Sequence, residues 1–430
     1  MVEPRLDGLV GDGRAHRSLY TDRDIFELEL VRVFGGTWVY IGHDSEIPRP
    51  DDYVTRTLGR RPIILTRSRD GTVHALFNRC THRGTTLCQE PHGNSRRFVC
   101  TYHGWAFTND GACVAVPYPA AYGPSHDKST RDLKRVPRLE SHRGFWFGTL
   151  NPDAPSLDEF LGPAKYWLDV FVDRAPDGTI TLHTPYRMTY RGNWKLIWDN
   201  GSDGYHPAFS HLSILKMSHI RYGGGRSLSN FGAEDPDEGH MYNQTLGHGH
   251  TMLDQRPGMG ESLWSRARPM PSKEPQYAAL VERYGEAEAS RLVEMAPGPG
   301  LNLTVFPSFH LIGNQVVVIT PLEVDLTAVN WYPTTLDGAP EVVNELRMRI
   351  AEDFPNFGEV DDFENFERQQ AGLSIPEIEW IDTSRGLEVD RSWTDQRGIR
   401  TTPVTDDAPL RAYHEEWKRL MTVEMNLTAG

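Results

Sequence analysis

The sequence predicts an α+β chain in two parts, a β-rich region followed by a larger region that mixes helices with strands. Three observations lead there. At 430 residues the chain is too long for one ordinary core. From Trp38 to about Asn151, short β-rich segments alternate with turn signals. Beyond that point the elements lengthen, and helical period appears beside strand period.

Taken in order, TDRDIFELELVRVF from Thr21 to Phe34 reads as an amphipathic helix, with Thr21 and Asp24 at the spacing of a capping box. Tyr53–Thr57, Pro62–Thr66, Val73–Phe77 and Arg97–Thr101 read as strands, and Asp70-Gly71 is the clearest hairpin turn. Pro152, Pro155 and Ser156 suggest a linker. Thr181–Tyr190 reads as a strand, with Pro185 placing it at an edge or a bulge. Tyr277–Glu294 and Glu341–Asp353 have helical period, Val316–Thr320 reads as a buried strand, and Leu410–Met425 as a C-terminal helix. Arg221–Met270, rich in Gly, Pro and polar residues, looks like long loops.

Hydrophobic residues make up 38% of the chain and charged residues 24%, as in a folded protein. No apolar run is long enough to span a bilayer, and the first residues lack the apolar core of a secretory signal, so a cytoplasmic protein is expected with no membrane partner. A formal net charge of −14 argues against nucleic acid, because phosphate binding needs a basic surface. The four cysteines, Cys80, Cys88, Cys100 and Cys113, lie close together. In such a protein that grouping favours metal or redox chemistry over disulfides.

Cys80-Thr-His82 and Cys100-Thr-Tyr-His103 give C-x-H, seventeen residues, then C-x-x-H. Each arm brings one thiolate and one imidazole. Structural zinc sites usually pair like with like, as C-x-x-C or H-x-x-x-H. A [2Fe–2S] cluster with two Cys on one iron and two His on the other accepts mixed arms, and that reading is favoured. Cys88 and Cys113 are read as buried free thiols.

A second constellation lies downstream: Asn193-Trp-Lys195, Asp199-Asn200, Asp203, Tyr205, His206 and His211. Two imidazoles and a carboxylate on one side of an iron leave positions open for oxygen activation. Taken alone, His206 and His211 read better as an ordinary pair of surface or core histidines. Five positions apart, they would sit roughly 140° apart on a regular α-helix, so one such helix cannot serve both. Pro207 fits a helix break or a widened turn there. His248-Gly-His250 is read as a loop or pocket-lining element and not as a ligand pair.

The runs Asn78-Arg-Cys80-Thr-His82-Arg-Gly84 and Cys100-Thr-Tyr-His103-Gly-Trp105 resemble the Rieske domain of ring-hydroxylating oxygenases, and the downstream pattern resembles the catalytic domain of the same family. Thr101 departs from the proline often found there. The resemblance implies an all-β Rieske domain at residues 39–155, inserted in an antiparallel-sheet α+β catalytic domain made of 1–38 and 156–430. It implies that Cys80 and Cys100 hold one iron of the cluster, with His82 and His103 on the other. It also makes His206 and His211 ligands of a mononuclear Fe(II), with Asn200 beside it. Asp203 is then the acid that bridges to the cluster of a neighbouring subunit, the alternative being a helix cap. The third ligand is expected from Glu359-Val-Asp361-Asp362, with Asp362 chosen and Asp361 as the fallback.

The activity implied is that of a terminal dioxygenase component, adding O2 to an aromatic hydrocarbon or aromatic carboxylate to give a cis-dihydrodiol. A reductase, with or without a ferredoxin, would bring NAD(P)H electrons. The usual assembly is a trimer of large subunits, often with three small subunits. A Rieske monooxygenase or demethylase and a Rieske electron carrier or redox sensor are the alternatives. Leu301–Phe309 and Asn356–Phe357 are candidates for an apolar substrate pocket, and Arg221 for a cation that would meet a substrate carboxylate.

Overall fold

A computed structural model describes residues 6–123, 125–212, 241–259, 273–298 and 300–423. The chain falls into two compact units, one of Leu30–Leu157 and the other of Met1–Glu29 with Asp158–Val423. No helix among the described residues is long and apolar enough to cross a membrane.

The first unit is built from antiparallel strands. Val73–Phe77, Arg61–Arg67, Asp52–Leu58 and His92–Asn94 form one sheet in that order; Cys113–Ala115, Ala106–Thr108 and Arg97–Val99 form a second; Arg138–His142, Phe145–Thr149 and Val39–His43 form a third. The Asp70-Gly71 turn joins two strands of the first sheet, and Gly71 takes the left-handed φ of +88° that the turn requires. One buried cluster holds all four cysteines with Ile64, Leu76, Phe98, Trp105 and Phe107. All four are free.

The second unit has a ten-stranded antiparallel sheet. Its centre runs Leu326–Leu336, Gln315–Glu323, Phe309–Ile312, Leu301–Val305, Thr251–Asp254 and Tyr242–Thr245. The last two strands fall inside the stretch expected to be loops; of that stretch, residues 221–240, Arg221 included, and 260–270 lie outside the described residues. Thr181–Tyr190 is two strands, Ile180–Leu182 and Tyr186–Tyr190, both paired with Leu326–Leu336. Pro185, which has no N–H to give a ladder, lies in the break.

The helix expected over Tyr277–Glu294 is likewise two, Glu274–Tyr284 and Glu286–Met295, parted by Gly285 at φ +77°. The helix expected from Thr21 is Arg23–Arg32, and its cap is Asp22, whose Oδ1 accepts from the amides of Asp24 and Ile25. Thr21 closes the preceding turn of helix instead, its hydroxyl donating to the Arg17 carbonyl.

Candidate metal centres

The two Cys/His arms of the first unit share one backbone device. Cys80 N donates to Thr85 O at 2.8 Å and Gly84 N donates to Cys80 O at 3.0 Å; Cys100 N donates to Trp105 O at 2.8 Å and Gly104 N to Cys100 O at 2.9 Å. Each loop thus reverses over the same number of residues, and each closes on a glycine of positive φ, +83° at Gly84 and +69° at Gly104. The Cys80 and Cys100 side chains hydrogen-bond each other, and main-chain amides of Tyr102 and His103 point at the Cys100 sulfur. The His82 and His103 rings meet edge to face with centroids 4.6 Å apart. Asn78 pins the segment after the first arm: its amide donates to Cys88 O at 2.7 Å and accepts from the Leu87 and Cys88 amides.

The donor set fits a Rieske cluster. Nδ1 of His82 and Nδ1 of His103 are both buried without a hydrogen-bond partner, an expensive state that metal ligation relieves. Burial first, then the neighbouring His103 and Arg83, hold the His82 pKa below its usual value, which favours the neutral imidazole that a metal requires.

In the second unit the helix Leu196–Gly201 ends just before Asp203, and a one-turn helix, Pro207–Ser210, follows. His206 enters that turn and His211 leaves it at φ −98°, ψ 22°, outside helical values. A single turn bounded by Pro207 therefore brings both rings to one side, where a continuous helix would have splayed them. Their centroids are 5.4 Å apart.

Asp362 arrives from the first turn of the helix Glu359–Leu373 and is only 3% exposed. Its two oxygens lie 3.8 Å from His206 Nε2 and 3.2 Å from His211 Nε2. One ligand atom from each of these three residues lies within 4.8 Å of the others. Asp362 Oδ1 has no hydrogen-bond partner, nor do the Nδ1 atoms of the two rings. Burial alone would lower the His206 pKa, yet the pull of Asp203, with the charge of Asp362 added, outweighs it and raises the value. The pocket is negative enough to favour a cation, and three ligands on one side suit a mononuclear iron.

Carboxylates also stand behind both rings. Asp203 Oδ2 is 3.7 Å from His206 Nδ1, and Asp361 Oδ2 is 3.5 Å from His211 Nδ1. A carboxylate behind a ligating His fixes ring orientation and tautomer. Asp361 and Asp362, adjacent in sequence, thus approach opposite nitrogens of one imidazole. The other Asp203 oxygen accepts from the amides of Tyr205, at 2.8 Å, and His206, at 3.2 Å. It caps the turn while its second oxygen faces the ring. The Asn200 amide nitrogen lies 3.1 Å from His206 Nε2.

Asn193-Trp-Lys195 is scaffolding. Glu29, wholly buried, accepts from Lys195 Nζ at 2.6 Å, Trp194 Nε1 at 2.8 Å and Trp417 Nε1 at 2.6 Å. Beside it Asp199 accepts from Tyr20 and Tyr413, and burial pushes its carboxyl well above the usual range against the opposing pull of Tyr20 and Lys195. His250 is structural too: it hydrogen-bonds the Phe160 carbonyl at 2.9 Å and accepts from the Phe306 amide at 3.1 Å. None of Glu29, Tyr20, Tyr413 or Trp417 carries a motif that the sequence alone would single out.

A cavity of about 900 Å³ opens beside the triad, walled by Asn200, Asp203, His206, Phe209, Asp362 and Arg385 among others. Leu301–Phe309 and Asn356–Phe357 do not line it. Leu301–Val305 is a central strand whose apolar side chains are spent on the core, and Phe357 is 45% exposed.

Comparison with known proteins joins the two centres. Residues 37–137 match the Rieske [2Fe-2S] domain, and residues 175–423 match the catalytic domain of the ring-hydroxylating alpha subunit. The chain belongs to the ring-hydroxylating alpha-subunit family. This oxygenase subunit is 34% identical to the large subunit of 2-halobenzoate 1,2-dioxygenase from Burkholderia cepacia, over 88% of this chain and 81% of that one. It is 35% identical to the alpha subunit of toluate 1,2-dioxygenase from Pseudomonas putida, over 84% and 79%. A crystal structure of naphthalene 1,2-dioxygenase with phenanthrene bound superposes with a TM-score of 0.83 at 26% identity, covering 98% of this chain and 96% of that one. The subunit is thus a Rieske oxygenase with a [2Fe–2S] domain and a catalytic domain of the class that binds mononuclear iron.

Proposed function

We propose that this oxygenase subunit adds both atoms of O2 to an aromatic carboxylate and yields a cis-dihydrodiol. The observation that carries the reading is the convergence of His206, His211 and Asp362 in a chain that also bears a Rieske domain. A carboxylated ring is favoured over a bare hydrocarbon because the two dioxygenase relatives named above act on a halobenzoate and a toluate. When bound, the cluster supplies electrons and the ferrous ion supplies oxygen activation. The residues prepare the site: His206 and His211 present Nε2, Asp203 and Asp361 face the opposite nitrogens, and Asn200 flanks the open side. The cluster-bearing domain in this reading is 39–155, with Cys80, His82, Cys100 and His103 as its ligands, and the catalytic domain is 1–38 with 156–430. The four free cysteines agree with a cytoplasmic setting.

The assembly we propose is a trimer of large subunits, with or without three small subunits, fed by a reductase, a ferredoxin or both. Asp203 of one copy would then link His206 to His103 of the next. What supports this is its place on the cavity wall with 27% of the side chain exposed. Asp203→Asn keeps the shape and removes the charge. Cluster and iron are expected to persist, while a reduced cluster mixed with substrate and O2 reoxidises at least roughly tenfold more slowly, a barrier change of about 1.4 kcal/mol. A wild-type single-turnover rate would reduce Asp203 to a cap.

Product analysis tests the chemistry. With a matching reductase and a panel of benzoates, phthalates and polycyclic hydrocarbons under ¹⁸O₂, the product of a carboxylated substrate should carry two labelled oxygens. One labelled oxygen would make the enzyme a monooxygenase.

A further inference from the structure

We infer that electrons reach the Rieske cluster along a stack of rings behind His82, from an acidic one-electron carrier protein that docks over Tyr122. The two imidazoles of the first unit face different surroundings. His103 lies against Tyr102, a side chain 62% exposed. His82 lies flat on Trp105, with centroids 4.8 Å apart and planes 1° from parallel. Trp105, itself only 3% exposed, meets the edge of Tyr122 at 6.2 Å, and Tyr122 stacks on His126 at 4.7 Å. Tyr122 is 41% exposed, so the series runs from one imidazole of the cluster site to solvent through packed π-systems.

The segment that carries this series is cationic and bears exposed aromatic rings. Residues 79–135, which carry both cluster arms, contain eight Lys and Arg against four Asp and Glu, in a chain whose net charge is −14. Arg79, Arg83, Lys128 and Arg131 are all exposed. Arg131 is held beside the first arm, because Thr81 Oγ1 donates to its carbonyl at 2.6 Å. Tyr118, 88% exposed, lies next to the short turn that presents Tyr122. A protein that is acidic overall yet concentrates positive charge and exposed aromatic rings here is complementary to a negatively charged partner, which such a field steers into place. Exposed Tyr side chains suit an interface. The step is a single electron transfer: the carrier loses one electron, the cluster gains it, and no bond forms or breaks. It rests on His82 and His103 being the cluster ligands, which the absorption and EPR spectra of each variant check independently.

The test uses the holoenzyme under anaerobic conditions, with photoreduced plant-type [2Fe–2S] ferredoxin as the acidic donor and dithionite as the small donor, following cluster bleaching by stopped flow. Tyr122→Leu is expected to slow the limiting rate of reduction by ferredoxin about tenfold. Its dithionite rate, spectrum and midpoint potential should stay at wild-type values. The double variant Lys128→Glu/Arg131→Glu should need about tenfold more ferredoxin for half-saturation and should lose most of the wild-type dependence of the rate on ionic strength. Tyr102→Leu, on the His103 side, should reduce normally. Wild-type rates in both the Tyr122 and the charge variants would overturn the inference, and so would equal slowing by Tyr102→Leu. A shifted potential or spectrum in Tyr122→Leu would also overturn it, because the ring would then support the cluster rather than connect it.

Discussion

Asp362→Ala is expected to empty the mononuclear iron site and abolish turnover while leaving the Rieske spectrum intact. Among the described residues Asp362 is the one carboxylate whose oxygens approach Nε2 of both His206 and His211, and it is buried. Removing it leaves two imidazoles, too few to retain iron on one open side. Asp361 separates ligation from support. Its carboxylate faces Nδ1 of His211, the nitrogen turned away from Asp362. Asp361→Asn should therefore keep the site but weaken it, with iron affinity falling roughly 10- to 100-fold as for other carboxylates behind a metal-bound histidine. Iron binding by equilibrium dialysis, on protein whose cluster is verified by its spectrum, distinguishes the two. If Asp361→Asn empties the site and Asp362→Ala does not, the ligand moves by one residue. If neither changes iron, this helix leaves the site.

Lys195→Met should be the most destabilising change in the catalytic unit. Lys195 and Glu29 form an ion pair with both side chains wholly buried, and burial already pushes the Lys195 ammonium below its usual range against the pull of Glu29. Taking away the lysine strands a carboxylate in the core, a loss of roughly 3–5 kcal/mol. For a unit of this size that lowers the melting temperature by on the order of 10 °C. The double variant Glu29→Gln/Lys195→Met should recover part of the loss, since no uncompensated charge remains and the amide oxygen still accepts from an indole. Thermal melts of the single and double variants give the coupling directly. A double variant no better than Lys195→Met would show that the lysine acts by packing alone.

These two cases also show where sequence reading reaches its range. The Cys80–His82 and Cys100–His103 arms are legible because each is local: a few residues with a glycine at the turn determine where thiolate and imidazole go. His206 and His211 are ligand candidates only through the family resemblance; what the sequence marks locally is the irregular turn at Pro207. Asp362 stands far from both in sequence, and only the family resemblance singled it out of an acidic run. What makes it differ from Asp361 is the face of one helical turn, a property of how Glu359–Leu373 packs. Glu29 and Lys195 are 166 residues apart, and an amphipathic helix with one inward acid looks like any other. The apolar run Leu301–Phe309 shows the same limit, because hydrophobicity marks burial and cannot by itself separate a core strand from a pocket wall. The cap at Asp22 rather than Thr21 is a one-residue ambiguity between two good capping residues.

Two different metal centres in one chain are tested most directly by metal analysis. Protein purified anaerobically should contain about three irons and two acid-labile sulfides per chain, with a reduced cluster of low average g-value, as nitrogen ligation of one iron requires. Zinc at Cys80 and Cys100 with no labile sulfide would contradict it.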